Sequence, residues 1–114
     1  MNIFKNLFGF GSRANAKIEI LKKAQFKKHL LETQGVLIDV RTPKEFIEDH
    51  IQNARNINFY DSRFMTNVKN LDKDQPVFIY CRSGARSSRA ARKMIKQGFT
   101  KIYDLKGGFL AWQE

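Results

Sequence analysis

Short, uninterrupted apolar runs alternate along this chain with stretches of helical periodicity. Val36-Leu37-Ile38 and Val77-Phe78-Ile79-Tyr80 contain no polar residue, the pattern of strands covered on both faces of a sheet. Lys17–Leu21 alternates, with Ile18 and Ile20 on one side, and Lys101–Leu105 reads as another strand. Asn56-Ile57-Asn58 is a brief strand candidate. Over Lys22–Thr33, the residues Phe26, Leu30 and Leu31 share one helical face, and Gly35 is expected to cap that helix. Thr42-Pro43-Lys44-Glu45 has the makings of a capping box with proline at the first helical position, opening a helix to about Asp49 or His50. Asp61–Leu71 predicts a short helix between loops. Over Arg86–Gln97, Ala90, Ala91, Met94 and Ile95 form one face, Gly98 ends the helix, and Arg92, Lys93 and Lys96 suit its negative pole. Gly107-Gly108 turns into a last apolar segment with Phe109, Leu110 and Trp112. Strands alternating with helices predict an α/β domain with a mostly parallel sheet.

Composition narrows the class. At 114 residues, 42% apolar and 28% charged, the chain is a single globular domain rather than a disordered one. Glycines 9 and 11 with Ser12 mark a joint, so residues 1–16 are expected to be a flexible arm and residues 17–114 the domain. The start, MNIFKNLFGFGSRANA, imitates a signal peptide, but its apolar stretch is short and broken by Lys5, Asn6 and glycines. No run approaches the ~18 apolar residues of a membrane span, and a cytoplasmic location is expected. Ile3, Phe4, Leu7 and Phe8 fall at helical spacing. A membrane contact by residues 1–10 would use that face, but an arm folded onto the domain or left disordered is the preferred reading. The net charge of +10 draws in anions. The basic residues are scattered and do not alternate with exposed aromatics, so nucleic acid is not expected as a partner.

The lone cysteine, Cys81, excludes an internal disulfide and a cysteine-built metal site. It indicates a reducing compartment or a thiol with a task of its own. Tyr80-Cys81-Arg82-Ser83-Gly84-Ala85-Arg86-Ser87 sets this thiol at the end of a buried strand, with a helix opening a few residues later. Ligands of open α/β sheets bind at this end of the strands. The loop Arg82, Ser83, Gly84, Ala85, Arg86, Ser87 is expected to curl around the sulfur with inward N–H groups, and Gly84 allows the turn. The helix N-terminus and the guanidinium groups of Arg82 and Arg86 favour thiolate over thiol. The same cradle suits the terminal sulfur of a persulfide. No general base is then required, and no Ser/His/Asp or Cys/His constellation is placed near Cys81.

Cys81-x-x-Gly84-x-Arg86 resembles the active-site loop of rhodanese-type sulfurtransferases. Leu37-Ile38-Asp39-Val40-Arg41 resembles the family's Asp-Val-Arg segment. Glu45-Phe46, His50-Ile51 and Ala54-x-Asn56-Ile57 resemble its central segment, and Gly107-Gly108-Phe109-x-x-Trp112 its C-terminal signature. The order is kept from about Lys17 to Glu114. Asp49, Asn53 and Asn58 stand where the family usually has Gly, Gly and Pro. The resemblance implies a five-stranded, mostly parallel sheet with helices on both faces and no metal or organic cofactor. It implies a small anionic donor such as thiosulfate, or a protein persulfide, and cyanide or a thiol as acceptor; a relay that passes sulfur to a protein partner is a further possibility, which basic side chains at Arg82, Arg86 and Arg89 would serve equally.

Asp39 and Arg41 sit on the same rim as Cys81, either lining the pocket or, as preferred, pairing to tie the loop to the next helix. Glu45 is read as the capping-box partner, and a structural hydrogen bond is expected of His50. A rival is a small dual-specificity-type phosphatase or arsenate reductase, whose loop is Cys, five residues, Arg. Here four residues separate Cys81 from Arg86, and position 87 is Ser. The smaller cradle suits one sulfur better than a tetrahedral phosphate. A non-catalytic binding module is the other rival, and retention of Cys81, Gly84 and Arg86 counts against it.

Overall fold

The structure, a computed structural model, describes residues 15–114; most of the expected N-terminal arm and the helical spacing at Ile3–Phe8 lie outside the described residues. Its strands are β1 (Lys17–Leu21), β2 (Val36–Asp39), β3 (Arg55–Asn56), β4 (Val77–Tyr80) and β5 (Lys101–Leu105). They form one five-stranded sheet in the order β1-β5-β4-β2-β3, and every pairing is parallel. The helices are α1 (Lys23–Glu32), α2 (Pro43–Glu48), α3 (Phe64–Val68), α4 (Ala85–Lys96) and α5 (Gly108–Trp112).

Alternation along the strands divides the core into two layers. Val36, Ile38, Val77, Ile79 and Ile102 face Phe64, Val68, Ala90, Ala91 and Met94 of α3 and α4. Leu37, Phe78, Tyr80, Tyr103 and Leu105 face Phe26 and Phe109, from α1 and α5. Both faces of β2 and β4 are therefore buried, as unbroken apolar runs require. Each such side chain contributes roughly 1.5–3 kcal/mol on burial. Cys81 continues the alternation from Val77 and Ile79, and so projects toward α4.

Several local expectations need correction. Leu31 is exposed, and only Phe26 of the α1 face is fully buried. Gly35 does not cap α1: the cap is Thr33, in extended conformation. A β-carbon at Gly35 would meet the Phe78 ring at 2.5 Å, so the packing of β4 demands this glycine. The third strand lies one residue earlier than expected, at Arg55–Asn56. Gly98 does end α4: its N–H donates to the Ile95 carbonyl and that of Phe99 to the Met94 carbonyl, both bonds of a Schellman motif.

Candidate functional site

Cys81 closes β4 and is 1% exposed. The chain must reverse within a few residues to start α4, and it does so at Gly84 with φ 120°. A β-carbon there would touch nothing within 4 Å, so backbone conformation and not crowding selects glycine. The turn aims the Gly84 N–H at Sγ, 3.0 Å away. The first intrahelical bond of α4 runs from the Ser88 N–H to the Gly84 carbonyl, which leaves the N–H groups of Ala85, Arg86 and Ser87 without helical acceptors. On the inner side the thiol donates to Ser87 Oγ at 3.4 Å, and that hydroxyl donates to the Gly84 carbonyl at 3.2 Å.

The loop is braced from below by α5. The Phe109 and Leu110 N–H groups donate to the carbonyls of Cys81 and Arg82, at 2.8 and 3.1 Å. This contact requires Gly108, because a β-carbon would lie 2.5 Å from the Cys81 carbonyl oxygen and φ is +63°. Gly108 thus belongs to the cysteine loop, though it lies far from it in sequence.

Two ion pairs fix the flank. The Arg86 guanidinium binds Glu45 through both nitrogens, at 2.8 and 3.1 Å, and lies over the Tyr60 ring. Arg86 holds Glu45 at about 2, well below the usual carboxylate range, and Thr42 bonds assist against the opposing effect of burial. The same bonds make Arg86 more basic than usual, with a smaller contribution of the same sign from Cys81. Glu45 also completes the capping box with Thr42. Arg86 is therefore a strut between α4 and α2, and its charge reaches the sulfur from the side.

Arg41 grips Asp39 with Nε at 3.0 Å from both oxygens and Nη2 at 2.6 Å, and Nη2 also donates to the Asp49 carbonyl at 2.6 Å. Both residues are buried. Burial works against the Arg41 charge, but the Asp39 bonds outweigh it and leave the guanidinium more basic than usual. The pair ties the end of β2 to the end of α2. His50 bonds the Phe46 carbonyl through Nδ1 at 2.7 Å and stacks on that ring.

The family's usual glycines and proline are replaced without strain. Asp49 has φ −173°, extended backbone open to any residue. Asn53 has φ +71°, in the left-handed region that asparagine tolerates best after glycine. Asn58 Oδ1 accepts the Tyr60 N–H at 3.0 Å and forms the turn itself.

Arg82, Ser83 and Ala85 are exposed at the loop mouth, while Ser87 is buried. Beside the loop opens a cavity of about 230 Å³ with Arg41, Glu45, Arg82 and Phe109 in its walls. A larger one, about 640 Å³, is lined by Leu30, Gly35, Arg55 and Trp112 and does not include Cys81; the chemistry follows the cysteine, not the size of the hollow. Two partners were not legible beforehand. The Glu45–Arg86 contact spans 41 residues of sequence. Asp104, expected only as a strand residue, is 3% exposed and lies beside Ser87. Its one sequence signal is an acidic residue between Tyr103 and Leu105 in a strand.

The rhodanese-like domain family model matches residues 22–114. An uncharacterized protein, YqhL, of Bacillus subtilis (strain 168) is 41% identical over 95 residues, covering 83% of this chain and 72% of that one. The thiosulfate sulfurtransferase GlpE of Coxiella burnetii (strain RSA 331 / Henzerling II) is 35% identical over 78 residues, covering 68% of this chain and 71% of its own length. Among solved structures, a rhodanese-like domain protein from Staphylococcus aureus superposes with a TM-score of 0.72 at 27% identity, covering 82% of this chain and 90% of that one. Among the described residues, no helix is long and apolar enough to cross a membrane.

Proposed function

The chain belongs to the rhodanese-like family, and from that premise we propose that it is a sulfurtransferase in which Cys81 carries one sulfur atom as a persulfide. The observation that carries this reading is the Gly84 N–H, 3.0 Å from Sγ at the mouth of α4. A relative of known class, named as a thiosulfate sulfurtransferase, supports it.

The Cys81 thiolate attacks the outer sulfur of thiosulfate. A new S–S bond forms at the cysteine, the S–S bond of the donor breaks, and sulfite departs with the electron pair. The terminal sulfur then bears negative charge among the unpaired N–H groups of Ala85, Arg86 and Ser87, where helix polarity favours an anion. Cyanide or a thiolate acceptor attacks that sulfur. Its bond to Sγ breaks, and the Cys81 thiolate returns. A persulfide donor, small or protein-bound, enters by the same first step with a thiolate as leaving group. Exposed Arg82 stands at the entrance for an anionic donor.

Intact mass after incubation with thiosulfate tests the reaction class. A gain of one sulfur is expected on the wild type, absent in Cys81→Ser and removed by cyanide. Thiocyanate formation persisting in Cys81→Ser overturns the covalent mechanism.

A further inference from the structure

The larger of the two hollows has no part in the chemistry at Cys81. It opens between the end of α1, the start of β2, the segment leading into β3 and the end of α5. Its volume of about 640 Å³ falls in the range of small-molecule sites. The floor is aliphatic. Leu37 and Ile51 are buried there, and Leu30 is half-buried on one wall. Leu31 stands at the rim, 78% exposed, with no described residue covering it.

The charge of the lining has one sign. Lys27 and Arg55 are cations, His50 adds an imidazole, and the remaining polar side chains are neutral amides. Among the described residues, no aspartate or glutamate lines this hollow. Neither Lys27 nor Arg55 enters an ion pair among those residues. The Lys27 ammonium lies instead 5.9 Å from the centre of the Trp112 ring, which Lys23 also approaches, at 5.7 Å.

We propose that this hollow binds an aliphatic carboxylate of medium chain length, with its chain on Leu30, Leu31, Leu37 and Ile51 and its carboxylate toward Lys27 and Arg55. The aliphatic floor selects a hydrocarbon body, and cations without a carboxylate partner select a negative head. Residues 1–14 are the rival occupant within the chain, but they carry Lys5 and Arg13 and no acidic residue. Their charge has the same sign as that of the hollow, and so has the net charge of a second copy, +10. The site does not include Cys81, so the proposal stands or falls apart from the sulfurtransferase reading.

Trp112 is the one tryptophan of the chain and lines the hollow, so its fluorescence reports occupancy. Titration of the full chain with decanoate is expected to shift the emission to the blue and to saturate, because the ligand displaces water from a half-buried indole. Octanoate is expected to bind up to about tenfold more weakly, since two fewer methylenes are buried. Decylammonium, with the same chain and the opposite charge, is expected to leave the emission unchanged. Lys27→Ala and Arg55→Ala should each weaken decanoate binding about two- to fivefold, and Leu31→Asp should abolish saturation. All three side chains are exposed, so the fold is kept. Lys93→Ala removes the same charge from an exposed position on α4 and should change nothing. Equal responses to decanoate and decylammonium, or an equal loss in Lys93→Ala, overturn the proposal. So does an emission that decanoate does not move, which would mean that the chain itself or a second copy already fills the hollow.

Discussion

Gly108 carries two demands at once: a left-handed backbone and a carbonyl oxygen where its β-carbon would be. Gly108→Ala is therefore expected to lower stability by roughly 2 kcal/mol or more, read from urea unfolding, and to displace the Cys81 loop enough to cut sulfur loading. Wild-type stability with unchanged loading would show that the contact is dispensable. Asp104 makes a prediction of opposite sign. Its folded pKa of about 6 lies above the usual 3.8, so folding disfavours its ionised form. The penalty is absent below about pH 4, grows as pH rises, and is complete above about pH 6. Asp104→Asn should stabilise the protein by roughly 2–3 kcal/mol at pH 8, with the gain vanishing near pH 4. Thermal unfolding at both pH values checks this, and an equal effect at both would exclude charge burial as its cause. Neither residue's role was readable from its neighbours in sequence. Gly108 was legible as a turn, but its contact is with a loop more than twenty residues away. The burial of Asp104 depends on β4 and β5 being adjacent, through the register of Asp104 with Ile79, which no local pattern states.

At the level of elements, α2 shows what sequence reads well. Thr42, Pro43 and Glu45 specify its start because every partner lies within three residues, and both reciprocal bonds form. The unbroken runs of β2 and β4 were legible for a similar reason: covering both faces leaves no room for polar alternation. Gly35 was misread because a glycine after a helix usually serves that helix, whereas here the Phe78 ring takes the space. Leu31 was misread because its position at helical spacing was taken for burial. The second role of Glu45, as the anchor of Arg86, required the fold to bring α2 to α4. That anchor can be weighed. Its folded pKa is depressed to about 2, first by Arg86, so its stabilisation is present above about pH 4.5 and is lost as pH falls toward 2. Glu45→Gln should cost about 1–2 kcal/mol at neutral pH once solvent screening is allowed for. The difference from wild type should shrink below about pH 4.5 and close only near pH 2, as chemical denaturation across that range will show. A cost that does not change with pH would show that the ionised carboxylate makes no net contribution, whether through Arg86 or through the capping box.

Across the whole molecule, the parallel sheet places the ends of β2 and β4 side by side through the register of Asp39 with Tyr80. The Asp39–Arg41 pair and the Cys81 loop thereby share one rim, as their positions at strand ends implied. The formal net charge of +10 gives the chain a field that attracts anions. Arg41 and Arg86 are already paired inside the site, so their charges act over short range and are weakly screened. Exposed lysines and Arg82 act over longer range, and salt screens them within about 10 Å at 0.1 M. The two sets predict different kinetic signatures. Raising ionic strength from about 10 to about 150 mM should raise KM for dianionic thiosulfate several-fold, while kcat stays near its low-salt value because the cradle at Cys81 is shielded from bulk ions. Arg82→Ala should raise KM at low salt and flatten the salt dependence. A persulfide donor carrying less negative charge than thiosulfate should show both effects more weakly. Steady-state kinetics on both donors checks this, and a salt-sensitive kcat with constant KM would place the screened charges in the chemical step instead of the approach.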